Sequence, residues 1–107
     1  MQKYMIKASY STQGIKGVQK DGGTGRADSV GKAIAGVGGQ MESFYFAFGS
    51  DDVYIVAELP DNESAMALAA TVGASGALSS YETVVLCTPD QVDRAVGKTV
   101  DYRPPGS

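Results

Sequence analysis

The segment from Gly39 to Leu59 constrains the fold of this chain more than any other stretch. It contains two runs rich in aromatic and β-branched residues, separated by the polar sequence Gly49-Ser50-Asp51-Asp52. Aromatic and β-branched residues favour a half-buried pleated strand, whereas Gly, Ser and Asp are typical of turns. The pattern therefore predicts a β-hairpin whose strands comprise residues 40–48 and 52–59.

The flanking segments show the two periodicities that distinguish strands from helices. In chain order they predict strand 3–10, helix 24–37, the hairpin, helix 61–72, strand 79–88 and a short helix that ends near Val96. Thr24 and Asp61 are the expected N-caps, and Pro89 suits the first position of the last helix. Residues 11–23 are predicted to be less regular. Residues 12–18 could form a short helical turn, but their glycines disfavour a helix.

This order is β-α-β-β-α-β with an additional short C-terminal helix, which is the split βαβ or ferredoxin-like arrangement. The predicted fold class is thus α+β, with one antiparallel sheet and two helices on one of its faces. With 107 residues the chain has the length of one domain. We assign residues 1–97 to this domain and residues 98–107, which contain Pro104-Pro105, to an extended C-terminal tail.

Both faces of the predicted sheet carry apolar residues, although two helices can cover only one of them. In the first hairpin strand Phe44, Phe46 and Phe48 point to one face, whereas Met41 and Tyr45 point to the other. Monomeric proteins rarely expose a large apolar patch, so this pattern predicts a homo-oligomer in which the chain is its own partner. The alternative is that the C-terminal segment folds back over the second face within one chain.

Charge and composition exclude several classes of function. Lys and Arg number 9 against 12 Asp and Glu, the net charge is −3, and neither sign forms a run. This balance predicts no nucleic-acid partner and no membrane partner, and no apolar run approaches the roughly 20 residues of a membrane span. The chain has no histidine and one cysteine, Cys87, so we predict no metal site and no cofactor. A single thiol and the lack of a signal-type N-terminus favour a cytoplasmic, bacterial-type protein.

Tyrosines at strand positions are the most prominent candidate ligand-binding residues. Tyr10, Tyr45 and Tyr54, together with Asp52 in the hairpin turn, are predicted to orient a small ligand. The alternatives are that the tyrosines fill the core or an interface, and that the aspartate bonds its own turn. No residue is assigned a catalytic role.

The glycine-rich segment Gly22–Arg26 has two interpretations. It could hold a phosphate at a helix N-terminus, but it lacks the lysine and the spacing of a P-loop. We favour a flexible connection, with Lys16, Lys20 and Arg26 in solvent.

The chain from Tyr4 to about Asp90 resembles the GYD domain family. The resemblance rests on Thr12-Gln13-Gly14-Ile15-Lys16, Gly38-Gly39-Gln40-Met41 and residues 57–65. The naming motif of the family is Gly, a polar residue, Tyr and Asp. It stands here as Gly49-Ser50-Asp51-Asp52, with Asp51 in place of the tyrosine. The resemblance implies the fold of the dimeric α/β-barrel group, and it names no reaction.

Two classes of function therefore stay open. The first is a small oligomeric α+β-barrel protein that binds a small, partly apolar molecule between sheet and helices, and such a protein could be a cofactor-free enzyme. The second is an assembly module without small-molecule chemistry, in keeping with the lack of a convergent acid–base pair. In either case residues 98–105 are predicted to lie ordered against a neighbouring subunit. Tyr102 and Arg103 offer apolar surface and a charge beside two rigid prolines.

Overall fold

A computed structural model describes residues 1–107 and contains seven regular elements. They are β1 (Gln2–Tyr10), α1 (Thr12–Gly36), β2 (Gln40–Phe46), β3 (Val53–Leu59), α2 (Asn62–Ala74), β4 (Leu78–Leu86) and α3 (Pro89–Val96). The four strands form one antiparallel sheet in the order β2-β3-β1-β4. The predicted ferredoxin-like α+β fold is confirmed, including the central hairpin and the short C-terminal helix.

A β-bulge in β2 changes which residues face the helices. Met41 pairs with Ala57, whereas Ser43 pairs with Val56, so one extra residue lies between them on β2. As a result Met41 lies on the same face as Phe44 and packs against the core. The prediction that Met41 shares a face with Tyr45 was therefore wrong, because strict alternation does not survive a bulge.

Helix α1 begins at Thr12, with only Ser11 between it and β1, and not after Thr24 as predicted. Ser11 is its N-cap, and the Ser11 side chain accepts a hydrogen bond of 3.1 Å from the Gly14 N–H. The helix is kinked at Gly22, whose φ of 76° is left-handed. Residues 11–23 were predicted to be less regular because of their glycines, and tertiary packing overrides that propensity. A Cβ at Gly14 would lie 1.9 Å from the Ala77 carbonyl oxygen, so the glycine permits close contact with the segment before β4.

The other helix termini follow the predicted chemistry. Asp61 caps α2 by accepting a 2.8 Å hydrogen bond from the Ser64 N–H. This bond and a second one from the Ser64 hydroxyl hold the pKa of the Asp61 carboxyl below its usual value. Helix α3 begins with Pro89 at its first position behind a Thr88–Gln91 capping box.

The core lies between the sheet and the two long helices. The face of the sheet that these helices cover, here called the inner face, carries residues that are at most 5% exposed. Those residues are Tyr4, Ile6 and Ala8 of β1 and Val53, Ile55, Ala57 and Leu59 of β3. Ile34 of α1 and Ala65 and Leu68 of α2 complete the buried cluster.

The opposite face of the sheet, here called the outer face, is more polar than the sequence predicted. Lys3 lies 2.6 Å from Glu42, and Lys7 lies 3.1 Å from Glu82. Both lysines are about one-third exposed, because their aliphatic stems lie along the sheet. Between these ion pairs the sheet presents an apolar band formed by Met5, Val56 and Val84. No element of the chain covers this band.

Residues 89–107, here called the C-terminal arm, project away from the sheet. Every residue of the arm is exposed except Gln91, which donates a 3.0 Å hydrogen bond to Gln2. The arm makes the molecule 57 Å long and gives a radius of gyration of 16.9 Å, against about 13 Å for a compact domain of this length. The alternative in which the C-terminal segment folds back over its own sheet is therefore wrong. None of the helices is both long enough and apolar enough to cross a membrane.

Candidate functional site

An apolar cavity lies between the inner face of the sheet and helices α1 and α2. Its volume is about 60 Å³, and 13 of its 14 lining residues are hydrophobic. Val30 and Ile34 of α1 form one wall, and Leu68 and Val72 of α2 form another. The sheet supplies the floor. This combination of an apolar cavity with few polar groups is the usual form of a small-molecule site.

Arg26 is the one charged residue that lines this cavity. It reaches the cavity because it lies four residues before Val30 and eight before Ile34, on the same side of α1. Its side chain is only 30% exposed, and its nearest charged partner, Asp21, is 3.9 Å away. The prediction that Arg26 is solvated was wrong, because the helix face to which it belongs packs onto the sheet.

A second, polar cavity of about 230 Å³ adjoins the first. Gln13, Gly17 and Asp21 of α1 line it, with Ser75 from the end of α2. Tyr10 and Arg26 line both cavities. The two residues therefore mark the boundary between an apolar compartment and a polar one.

The two tyrosines of the apolar cavity are held in their neutral form. Burial raises the pKa of Tyr10, and the Arg26 charge opposes this shift in part. Burial also raises the pKa of Tyr81, against a smaller effect of a hydrogen bond with Thr83. At neutral pH both phenols can thus donate as well as accept a hydrogen bond.

The four predicted ligand-binding residues, Tyr10, Tyr45, Asp52 and Tyr54, do not form one cluster. Tyr10 lines the apolar cavity, and Asp52 accepts a 2.9 Å hydrogen bond from the Tyr10 backbone N–H. Tyr45 and Tyr54 pair across β2 and β3 on the outer face, away from the helices. Asp51 also faces outward, 4.0 Å from the Lys7 amine. The carboxylates of Asp51 and Asp52 therefore interact with different partners, Lys7 on the outer face and the Tyr10 backbone.

Sequence reasoning missed Arg26 as part of the site. Its spacing from Val30 was the available signal, since an arginine at the end of an apolar helix stripe covers the core with its aliphatic part. The segment Gly22–Arg26, considered as a phosphate site or a flexible connection, lies inside α1. There a Cβ at Gly23 would lie 3.1 Å from the Phe46 ring. No three acidic or thiol side chains come together as a metal site would require.

A family model described as the GYD domain matches residues 4–96. The chain belongs to the GYD domain family. The sequence Gly49-Ser50-Asp51-Asp52 falls in the loop between β2 and β3. In this GYD domain the apolar cavity lies on the helix side of the sheet, whereas Asp51 lies on the outer side.

Comparison with solved structures places the fold among known ones. The crystal structure of MtbAldR matches with a TM-score of 0.62 and 14% sequence identity, over 81% of this chain and 53% of that one. The GYD chain thus spans about half the length of MtbAldR, and at this identity the likeness concerns the fold alone. Comparison with curated proteins gives no match.

Proposed function

We propose that this GYD domain binds a small, partly apolar molecule in the apolar cavity between the sheet and the helices. The observation that carries the proposal is the composition of the cavity wall, 13 hydrophobic residues and Arg26. A single cation at the boundary with a polar cavity is poorly suited to a purely structural core. The same arrangement suits a molecule with one apolar and one polar end.

The size of the cavity limits what it can hold. A volume of about 60 Å³ has room for roughly four to six water-sized probes, whereas an apolar cavity of about 150 Å³ admits benzene. The apolar compartment as it stands therefore suits a short or branched alkyl group and not an aromatic ring. The adjoining polar cavity of about 230 Å³ is the space for the remainder of the molecule.

We further propose that the protein works as a cytoplasmic homo-oligomer. The apolar band of the outer face has no cover within the chain, and the C-terminal arm exposes Val92, Val96, Val100 and Tyr102 by 50–78%. Helix α3 is capped at its N-terminus, so Val92 and Val96 lie on an ordered element and not on a frayed end. Two uncovered apolar surfaces on one chain are explained together if the arm of each subunit lies on its neighbour.

An assembly module without small-molecule chemistry is the second candidate. The exposed arm favours it, since its apolar side chains are uncovered and none of them lines the cavity. The two candidates differ in one respect that can be measured. Only the ligand-binding domain requires that a bulky side chain placed in the apolar cavity weakens the binding of small molecules.

A thermal-shift screen with small amphipathic compounds tests the proposed function. The variant Val72→Phe places an aromatic ring in the cavity, and Val84→Phe makes the same change on the outer face. We expect compounds that raise the melting temperature of the wild type and of Val84→Phe, but not of Val72→Phe. If no compound stabilises the wild type, or if both variants respond alike, the assembly module is the better description.

Light scattering tests the oligomer separately. Deletion of residues 98–107, and of the whole arm, is expected to lower the subunit number while the sheet and long helices stay folded. An unchanged mass and an unchanged melting temperature would mean that the arm takes no part in assembly.

A further inference from the structure

We infer that the ligand is an amphipathic carboxylate, whose short alkyl end occupies the apolar cavity and whose charged end pairs with Arg26. This inference rests on the proposed function and adds the chemical class of the ligand. The two cavities, the charge between them and the supply of hydrogen-bond donors each support it.

The position of Arg26 separates the two ends of such a ligand. Arg26 lines both cavities, so an anion paired with its guanidinium has the apolar cavity on one side and polar groups on the other. Tyr10 is the second residue that both cavities share, and burial keeps its hydroxyl neutral and able to donate. A carboxylate placed where the two cavities meet can therefore pair with the Arg26 cation and accept a hydrogen bond from the Tyr10 phenol.

The charge of Arg26 is weakly matched within the chain. Asp21 lies 3.9 Å away, which is longer than a charge-assisted hydrogen bond of about 2.7–2.9 Å. The side chain of Asp21 is also 46% exposed, so solvent screens the pair. The planar guanidinium, with five N–H donors, therefore retains donors for a bidentate carboxylate.

A phosphate ester suits the site less well than a carboxylate. Arg26 is the only cation of either cavity, whereas Asp21 lines the polar one. A dianion would meet one positive charge and one negative charge, so its second charge would have no partner. A monoanion of planar shape matches the single guanidinium fork.

The length of the alkyl end follows from the volume of the apolar cavity. Each buried methylene contributes about fourfold in affinity until the available space is filled. With about 60 Å³ available, affinity is expected to rise over the first few methylenes and then to level off. A plateau within the series from butyrate to octanoate is the expected signature.

Calorimetric titration with butyrate, hexanoate and octanoate, each beside the alcohol of equal chain length, tests the inference. For the wild type we expect each carboxylate to bind at least tenfold more tightly than its alcohol. Arg26→Gln should remove this difference and leave the binding of the alcohols unchanged, and Arg26→Lys should restore part of it. Lys32→Gln removes an exposed cation from the same helix and serves as the control, with no effect on either series.

The outcomes separate the inference from the proposed function. If the alcohols bind as tightly as the carboxylates and Arg26→Gln changes neither, the carboxylate is overturned while an apolar site stands. If neither series binds the wild type, both the inference and the proposed function fail. Circular dichroism of each variant ensures that a loss of binding is not a loss of fold.

Discussion

The two faces of the sheet differ in what covers them, and this difference separates the two proposed activities. On the inner face, Ile6 and Ile55 are no more than 5% exposed beneath the helices. On the outer face, their neighbours Lys7 and Val56 lie in a layer of ion pairs and apolar residues that no other element covers. Each of the strands β1 and β3 thus contributes alternate residues to the buried core and to the uncovered outer face.

The comparison teaches that apolar content alone does not identify a ligand site. The outer face also exposes aromatic surface, since Tyr45 is 69% exposed there. The inner face, however, has the enclosed volume and a charged residue at its boundary. Enclosure favours a small ligand, whereas an open band beside ion pairs favours a second protein surface.

Truncation of adjacent residues on β3 gives the largest expected contrast. Ile55→Ala removes a fully buried side chain, so we expect a loss of about 2–5 kcal/mol in the free energy of unfolding. Val56→Ala removes a partly buried one, so we expect a smaller loss, about 1 kcal/mol, for the monomer. Urea denaturation at several protein concentrations measures both. If the loss of unfolding free energy depends on protein concentration for Val56→Ala alone, the outer face takes part in association and the inner face does not. Equal losses in the two variants would contradict the difference between the faces.

Two glycines one helical turn apart in α1 are expected to respond in opposite directions to alanine. Gly14→Ala places a Cβ against the Ala77 carbonyl, which should cost about 1–3 kcal/mol through displacement of the helix. Gly17→Ala meets open space, so the better helix propensity should stabilise the fold by up to about 1 kcal/mol. Thermal unfolding distinguishes them. Destabilisation by both substitutions would show that the packing of α1 on the segment before β4 is described incorrectly.

The tyrosines of the cavity predict a dependence of stability on alkaline pH. Burial raises the pKa of Tyr10 and Tyr81 above the value in the unfolded chain, which is near 10. Their contribution to stability is therefore complete below about pH 10 and is lost as the pH rises through the folded-state values. Tyr10→Phe and Tyr81→Phe should each flatten the alkaline decline in urea midpoints. A decline in both variants as steep as that of the wild type would contradict this prediction.

The outer-face ion pairs give the smallest expected effect. Lys7→Met removes the partner of Glu82, and exposed pairs contribute little to folding. We expect a melting temperature close to that of the wild type and stronger self-association, because the apolar band becomes wider. Sedimentation velocity would measure the association. A large drop in melting temperature would show that this ion pair is part of the folded core.

Much of the fold could be predicted because local patterns agree with tertiary packing. The hairpin, the Asp61 cap and Pro89 at the start of α3 depend on nearest neighbours in the chain, and all are seen. The first half of α1 could not be predicted, since Gly14 is there to fit a carbonyl 63 residues later in the chain. The bulge beside Met41 likewise depends on the partner strand.

The candidate site was harder to predict than the fold. The four positions lie on three strands and one turn, and their spacing does not indicate which tyrosines face the helices, so Tyr10 was grouped with Tyr45 and Tyr54. Arg26 was not assigned to the cavity, because its spacing from Val30 places it beside the apolar stripe of the helix but does not show whether its end faces solvent or a cavity. Only the packing of α1 on the sheet decides between these cases.

One spectrum of methyl-labelled protein tests the central claim that the inner face binds the ligand and the outer face binds a second subunit. Ile34, Leu68 and Val72 report on the cavity, whereas Val56, Val84 and Leu86 report on the outer face. We predict that hexanoate shifts the cavity methyl signals alone and that dilution shifts the outer-face signals alone. Hexanoate shifts confined to the outer face, or no response of the cavity signals, would contradict the account.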